Sequence, residues 1–226
     1  MKQLSYMQEF FLCAVNKKGK IPSSRAGYIS ACLIAGGMAE LLNCGSIVRN
    51  EKDKLTAEKP LADNLPYLKP LYEKIAALKK PKSAKGIAEM FIAGFSRKPL
   101  DELCLAFGLS LSEAGYADAL TKQGRKKVKI KYAPKEEAVK RVIEKVRAEV
   151  LEEGEMTAET LCLTAMLDKC GIVRNYFSKV EAKDLKKRVK EARESELYAS
   201  VKEICDSVDA MYAAIIVVMA AGATSR

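Results

Sequence analysis

The chain contains no histidine and no tryptophan. Without histidine the commonest general base is missing, and a zinc site loses its usual nitrogen ligand. Seven cysteines are present (Cys13, Cys32, Cys44, Cys104, Cys162, Cys170 and Cys205), but no two are spaced as C-x-x-C, so the paired-thiolate signature of zinc is absent as well. There is no G-x-x-x-x-G-K loop, no G-x-S-x-G elbow and no G-x-G-x-x-G turn. Long apolar runs are also scarce. The longest, Ala210 to Ala223, falls short of the roughly 20 residues a membrane-spanning helix needs. No small-residue cleavage site follows Phe10-Phe11-Leu12, and Glu9 breaks the apolar run there, unlike a signal peptide. These absences predict a protein without enzymatic activity, metal or cofactor. An odd number of scattered thiols fits a reducing, cytoplasmic setting.

What the chain does have is apolar material and positive charge. Its 226 residues are 49% hydrophobic, enough for a sizeable core in one domain covering 1–226. The formal net charge of +10 suits a polyanionic partner, either a membrane surface or nucleic acid.

Apolar spacing predicts mostly helices. Tyr6, Phe10, Phe11 and Val15 mark a helix from Ser5 to Asn16. A turn over Lys17 to Lys20 leads to a second helix, with Ser23 or Ser24 as its cap, running to Asn43 and ended by Gly45. That helix is apolar nearly all round, so it should be central. Ala31, Ala35 and Ala39, beside Gly36 and Gly37, leave room for a close neighbour. Ile47-Val48-Arg49 and Leu55-Thr56-Ala57 read as short strands around a turn at Glu51 to Lys54. Leu68, Leu71, Ile75 and Leu78 mark a third helix, and Ile87, Met90, Phe91 and Phe95 a fourth. A fifth runs from Pro99 to Ala114. Pro134 should open a long amphipathic helix to Leu151, and Thr157 should cap the next. A charged helix over Asp184 to Arg193 and a last one over Leu197 to Ala221 complete the chain. The fold class is all-α: a single-domain helical bundle around a buried apolar helix, with a β-hairpin appendage.

The hairpin is the most distinctive stretch. Lys122, Arg125, Lys126, Lys127, Lys129, Lys131 and Lys135 follow one another with no acidic residue between. From Lys127 the cations alternate with Val128, Ile130 and Tyr132, the period of a half-buried strand. Lys127, Lys129 and Lys131 would then line one face and attract phosphate, on lipid or on nucleic acid. The same pattern fits a solvated edge strand whose lysines discourage edge-to-edge pairing.

The segment Phe10 to Ile47, FFLCAVNKKGKIPSSRAGYISACLIAGGMAELLNCGSI, resembles the N-terminal region of the Golgi phosphoprotein 3 family: an apolar helix, a Gly-containing turn, a long apolar helix ending in Glu-Leu (Glu40-Leu41) and a short strand. Leu111 to Gly115 leading into a hairpin, Leu161 to Phe177 (LCLTAMLDKCGIVRNYF) and the closing apolar helix agree in order. The resemblance implies a peripheral membrane protein. In the family's eukaryotic members it implies a basic pocket for phosphatidylinositol 4-phosphate beside a hairpin, and binding of the cytoplasmic tails of membrane enzymes. The pocket's tryptophan falls on Arg25, and an arginine nine residues later falls on Ile34. Its two basic residues before the hairpin fall near Asp101 and Cys104. All four positions depart from the pattern, so selectivity for that lipid should be weak or absent.

The sequence therefore points to a peripheral, cytoplasmic binder of anionic phospholipid. Its contact set is Arg125, Lys126, Lys127, Lys129 and Lys131, with Arg25 as an outlying candidate. Two rivals stand beside it. One is a nucleic-acid binder using the helix and a basic wing, although Asp101 to Leu111 offers few donors to base edges. The other is a protein-interaction scaffold.

Overall fold

The computed structural model describes residues 3–92, 98–123, 128–152, 156–192, 202–210 and 212–213. The expected run Ala210 to Ala223 lies almost wholly outside them, as does Phe95. The chain is mainly helical. Helices α1 (Tyr6–Ala14) and α2 (Ala26–Asn43) lead to a small hairpin, β1 (Ile47–Arg49) and β2 (Leu55–Ala57). Helices α3 (Lys69–Ala76), α4 (Ala84–Ile92) and α5 (Lys98–Glu113) follow, then a second hairpin, β3 (Ala117–Gln123) and β4 (Val128–Pro134). Helices α6 (Glu136–Val146), α7 (Ala158–Lys169) and α8 (Lys179–Glu191) come next, and residues 202–210 are helical again. Both sheets are two-stranded and antiparallel. Nearly all the buried apolar side chains among the described residues form one cluster.

The centre holds two helices where one was expected. Every residue of α1 is buried, among α2, α5, α6 and α7. Ser5 starts it: its hydroxyl accepts from Gln8 N–H while the Gln8 side chain accepts from Ser5 N–H, satisfying two backbone donors at once. Helix α2 packs alongside, and the Met7 side chain lies where a Cβ at Gly36 would be. The stretch Ser23–Asn43 is long and apolar enough to cross a membrane, yet 67% of its most apolar window is buried against other helices. It is a core helix.

A polar cluster is folded into this core. Glu40 on α2 is buried, and the Tyr67 hydroxyl donates to its Oε2 at 2.9 Å. The same hydroxyl lies 2.9 Å from Ser5 Oγ. Gln8 donates from Nε2 to Ser110 on α5 at 2.8 Å. Burial outweighs these hydrogen bonds and raises the Glu40 carboxyl to about 7. Glu9, also buried, is paired with Lys145 of α6 at 2.7 Å.

Three boundaries differ from the sequence reading. Neither Ser23 nor Ser24 caps α2. The chain enters through a 3₁₀ turn, Ser23–Arg25, and Arg25 at φ −121, ψ 2 is not in the extended conformation a capping side chain needs. Pro134 does not open a helix. It pairs with Ala117 as the last residue of β4, and α6 begins at Glu136. The charged helix starts earlier, at Lys179, where Ser178 and Glu181 form a capping box. The two short strands, by contrast, lie where their sequence places them, and Thr157 caps α7 by accepting from Thr160 N–H.

Candidate functional site

Strand β4 sits on α5 through one tight contact. Gly108 faces Tyr132, and a Cβ there would come within 2.8 Å of the Tyr132 Cβ. The turn before α2 closes on the other side of the strand. Gly19 adopts φ +61, and a Cβ at this position would lie 2.7 Å from the Tyr132 carbonyl oxygen. Both positions require glycine for backbone to approach β4 so closely.

Between these elements lies a half-open groove of about 810 Å³. The N-terminal half of α5 supplies Lys98, Asp101, Glu102, Cys104 and Leu105. Strand β4 supplies Lys129 to Tyr132, and the turn supplies Gly19, Lys20 and Ile21. Phe11, Val15 and Leu100 give it an apolar lining.

The hairpin register puts Lys122 opposite Lys129 and Leu120 opposite Lys131, so these four share one face. The apolar face is less covered than strict alternation predicts. Tyr132 is partly buried against the core, but Ile130 is 47% exposed, and on the lysine face Leu120 is exposed as well. Leu105 and Leu109 of α5 are exposed to a similar degree.

The groove's charges are unevenly matched. Lys98 pairs with Glu102 at 3.6 Å. Lys20, Lys129, Lys131 and Asp101 make no ion pair among the described residues. Desolvation lowers the Lys131 ammonium's pKa first, and the nearby cations Lys20, Lys129 and Lys122 lower it further. Asp101 acts in the opposite sense.

Of the residues singled out in the sequence, Lys129 and Lys131 line the groove. Arg125, Lys126 and Lys127 lie outside the described residues. Arg25 sits elsewhere: its guanidinium donates to Asn175 Oδ1 at 3.1 Å and rests against Gly171, tying the entry of α2 to the turn after α7. Ile34 is fully buried in the core. Asp101 and Cys104, two of the four positions aligned with the family pocket, do line the groove. Lys20 and Lys98 were missed. Their signals were the basic turn Lys17 to Lys20 and a lysine next to the helix-opening Pro99, but nothing local joins either to β4.

Among the described residues no group of three or more cysteine, aspartate or glutamate side chains is arranged to hold a metal ion. Five of the seven thiols are buried, and none of the seven is in a disulfide. Burial pushes the Cys162 thiol up to about 12 and that of Cys32 well above its ordinary value, which makes them poor nucleophiles.

A comparison with curated proteins finds no match. The sequence profile of the Golgi phosphoprotein 3 (GPP34) family, however, matches residues 7–210, nearly the whole length and every element that builds the groove. The chain therefore belongs to the Golgi phosphoprotein 3 family.

Proposed function

We propose that this protein is a non-catalytic peripheral binder of anionic phospholipid, using the groove between α5, β4 and the Gly19 turn. The observation that carries this reading is Lys20, Lys129 and Lys131 gathered over an apolar-lined groove with no ion pair among the described residues. Three cations beside the single unpaired carboxylate of Asp101 leave a net repulsion, and an anion relieves it. Exposed Leu105 and Ile130 on the same groove suit the border between lipid headgroup and acyl chain. Family membership fits a binding role rather than catalysis. Arg125, Lys126 and Lys127 extend the same basic hairpin in sequence and belong to the proposed contact set. Arg25 does not, because Asn175 engages it.

Selectivity for phosphatidylinositol 4-phosphate is expected to be slight. Lysines act as point charges and offer no fixed fork for a phosphate monoester. Attachment would be to the cytoplasmic face of a membrane, where the tails of membrane proteins are further candidate partners. Nucleic acid is disfavoured, because α5 presents Leu105 and Leu109 to solvent where base reading needs polar donors.

The test is sedimentation with phosphatidylserine or cardiolipin vesicles. Each charge near an anionic surface contributes about 1 kcal/mol. Reversing three lysines, in Lys20→Glu, Lys129→Glu and Lys131→Glu together, should weaken partitioning more than a thousandfold with the fold intact. Undiminished pelleting of that variant refutes the reading. Duplex DNA outcompeting vesicles at physiological salt would favour nucleic acid instead.

A further inference from the structure

The groove is not uniformly positive. Glu102 is neutralised by Lys98. Asp101 remains, exposed in the first turn of α5, lining the groove without an ion-pair partner among the described residues. It stands close enough to Lys131 to favour that lysine's charged form. A carboxylate there repels a plain phosphate. It attracts a phosphate ester that carries a positive group at its far end.

Resting on the lipid reading above, we propose that the groove selects an aminophospholipid headgroup, with phosphate and carboxylate among Lys20, Lys129 and Lys131 and the primary ammonium against Asp101. Phosphatidylserine matches this arrangement in charge. It offers two anionic groups to three unpaired lysines and one cation to one unpaired aspartate. Phosphatidylglycerol has the same net charge but leaves Asp101 facing a hydroxyl. The headgroup is taken from a bilayer, because the apolar lining and the exposed Leu105 and Ile130 give the rest of the lipid a surface to meet.

The experiment compares binding of the full chain to phosphatidylcholine vesicles doped with equal fractions of phosphatidylserine or phosphatidylglycerol. The wild type should bind phosphatidylserine vesicles about fivefold more tightly, the effect of one extra favourable charge at a membrane surface. Asp101→Asn should erase the difference from both sides, weakening the phosphatidylserine interaction and strengthening that with phosphatidylglycerol. A merely structural role for Asp101 would move both lipids together and overturn the proposal. Equal binding of the two lipids by the wild type overturns the selectivity and leaves anionic-lipid binding standing. Binding to neither overturns both.

Discussion

On one side of α5, Phe107 and Ser110 meet the closed cluster of Ser5, Gln8, Glu40 and Tyr67. On the other, Asp101, Cys104 and Leu105 line the open groove beside Lys129 and Lys131. Both sides hold titratable groups displaced from their ordinary behaviour, with desolvation as the leading cause in each. The outcomes differ. The closed cluster is satisfied from within: Tyr67 donates to Glu40, Gln8 reaches Ser110, and no buried side-chain polar atom lacks a partner among the described residues. In the groove Lys20, Lys129 and Lys131 outnumber Asp101 and make no ion pair among the described residues. A polar group satisfied inside the fold serves the fold, whereas charges left unmatched at an open surface are available to a ligand. Changes in the closed cluster should therefore alter stability, and changes in the groove should alter binding.

The largest stability effect is expected at the side chain that links the closed cluster to the groove-lining Phe11. Phe107 is fully buried, stacked on Phe11 with ring centroids 5.3 Å apart and 5.0 Å from Tyr67. Phe107→Ala removes that packing and should cost about 4 kcal/mol, read by urea denaturation. Because α5 carries the groove, vesicle binding should fall with it. A stability loss with binding unchanged would show that the two sides are independent.

Glu40 gives the next effect, and it depends on pH. Its carboxyl titrates at about 7 in the folded protein against an ordinary 4.5, so the native state holds a proton that the unfolded chain has lost between those values. Stability should therefore be full below about pH 4.5 and fall as pH rises towards and through 7, by at most about 3 kcal/mol. Glu40→Gln keeps a hydrogen-bond acceptor for Tyr67 and cannot ionise. It should match the wild type at pH 5, exceed it in stability at pH 8, and leave vesicle binding unaltered. Parallel stability–pH curves for the two proteins would refute this account of the cluster.

A smaller effect is expected at Gly108. The added methyl of Gly108→Ala meets Tyr132, and overpacking of this kind costs about 2 kcal/mol. The displaced β4 should also loosen the groove. A doubled change, Gly108→Ala with Tyr132→Ala, should recover part of the stability, as thermal denaturation would report.

Much of the fold could be read from local pattern, because the forces that set it are local. The strands Ile47–Arg49 and Leu55–Ala57, the Thr157 cap and the antiparallel basic hairpin all follow from residues a few positions apart. Where neighbours in sequence compete, the reading failed. Ser23 and Ser24 have capping side chains, but the turn after Pro22 holds the backbone in another conformation. Pro134 suits a first helical turn, but β4 uses it for one more pair with Ala117. In the candidate site, Lys129 and Lys131 stood out by alternation and charge. Lys20 and Lys98 did not, since they join the groove only when distant segments meet.

The sequence by itself determined the mainly helical class, the family and the cationic ribbon, because spacing, composition and charge are properties of the chain before it folds. Tertiary structure alone decided which polar groups are matched. Glu9 meets Lys145 across 136 positions, Gln8 meets Ser110 across 102, and Arg25 is held by Asn175 across 150. Lys20, Lys129 and Lys131 are left together with Asp101 at an open groove. The reason is range: helix and strand preferences act over a few residues, whereas the partner of a charge is whatever packing brings within a few ångströms of it.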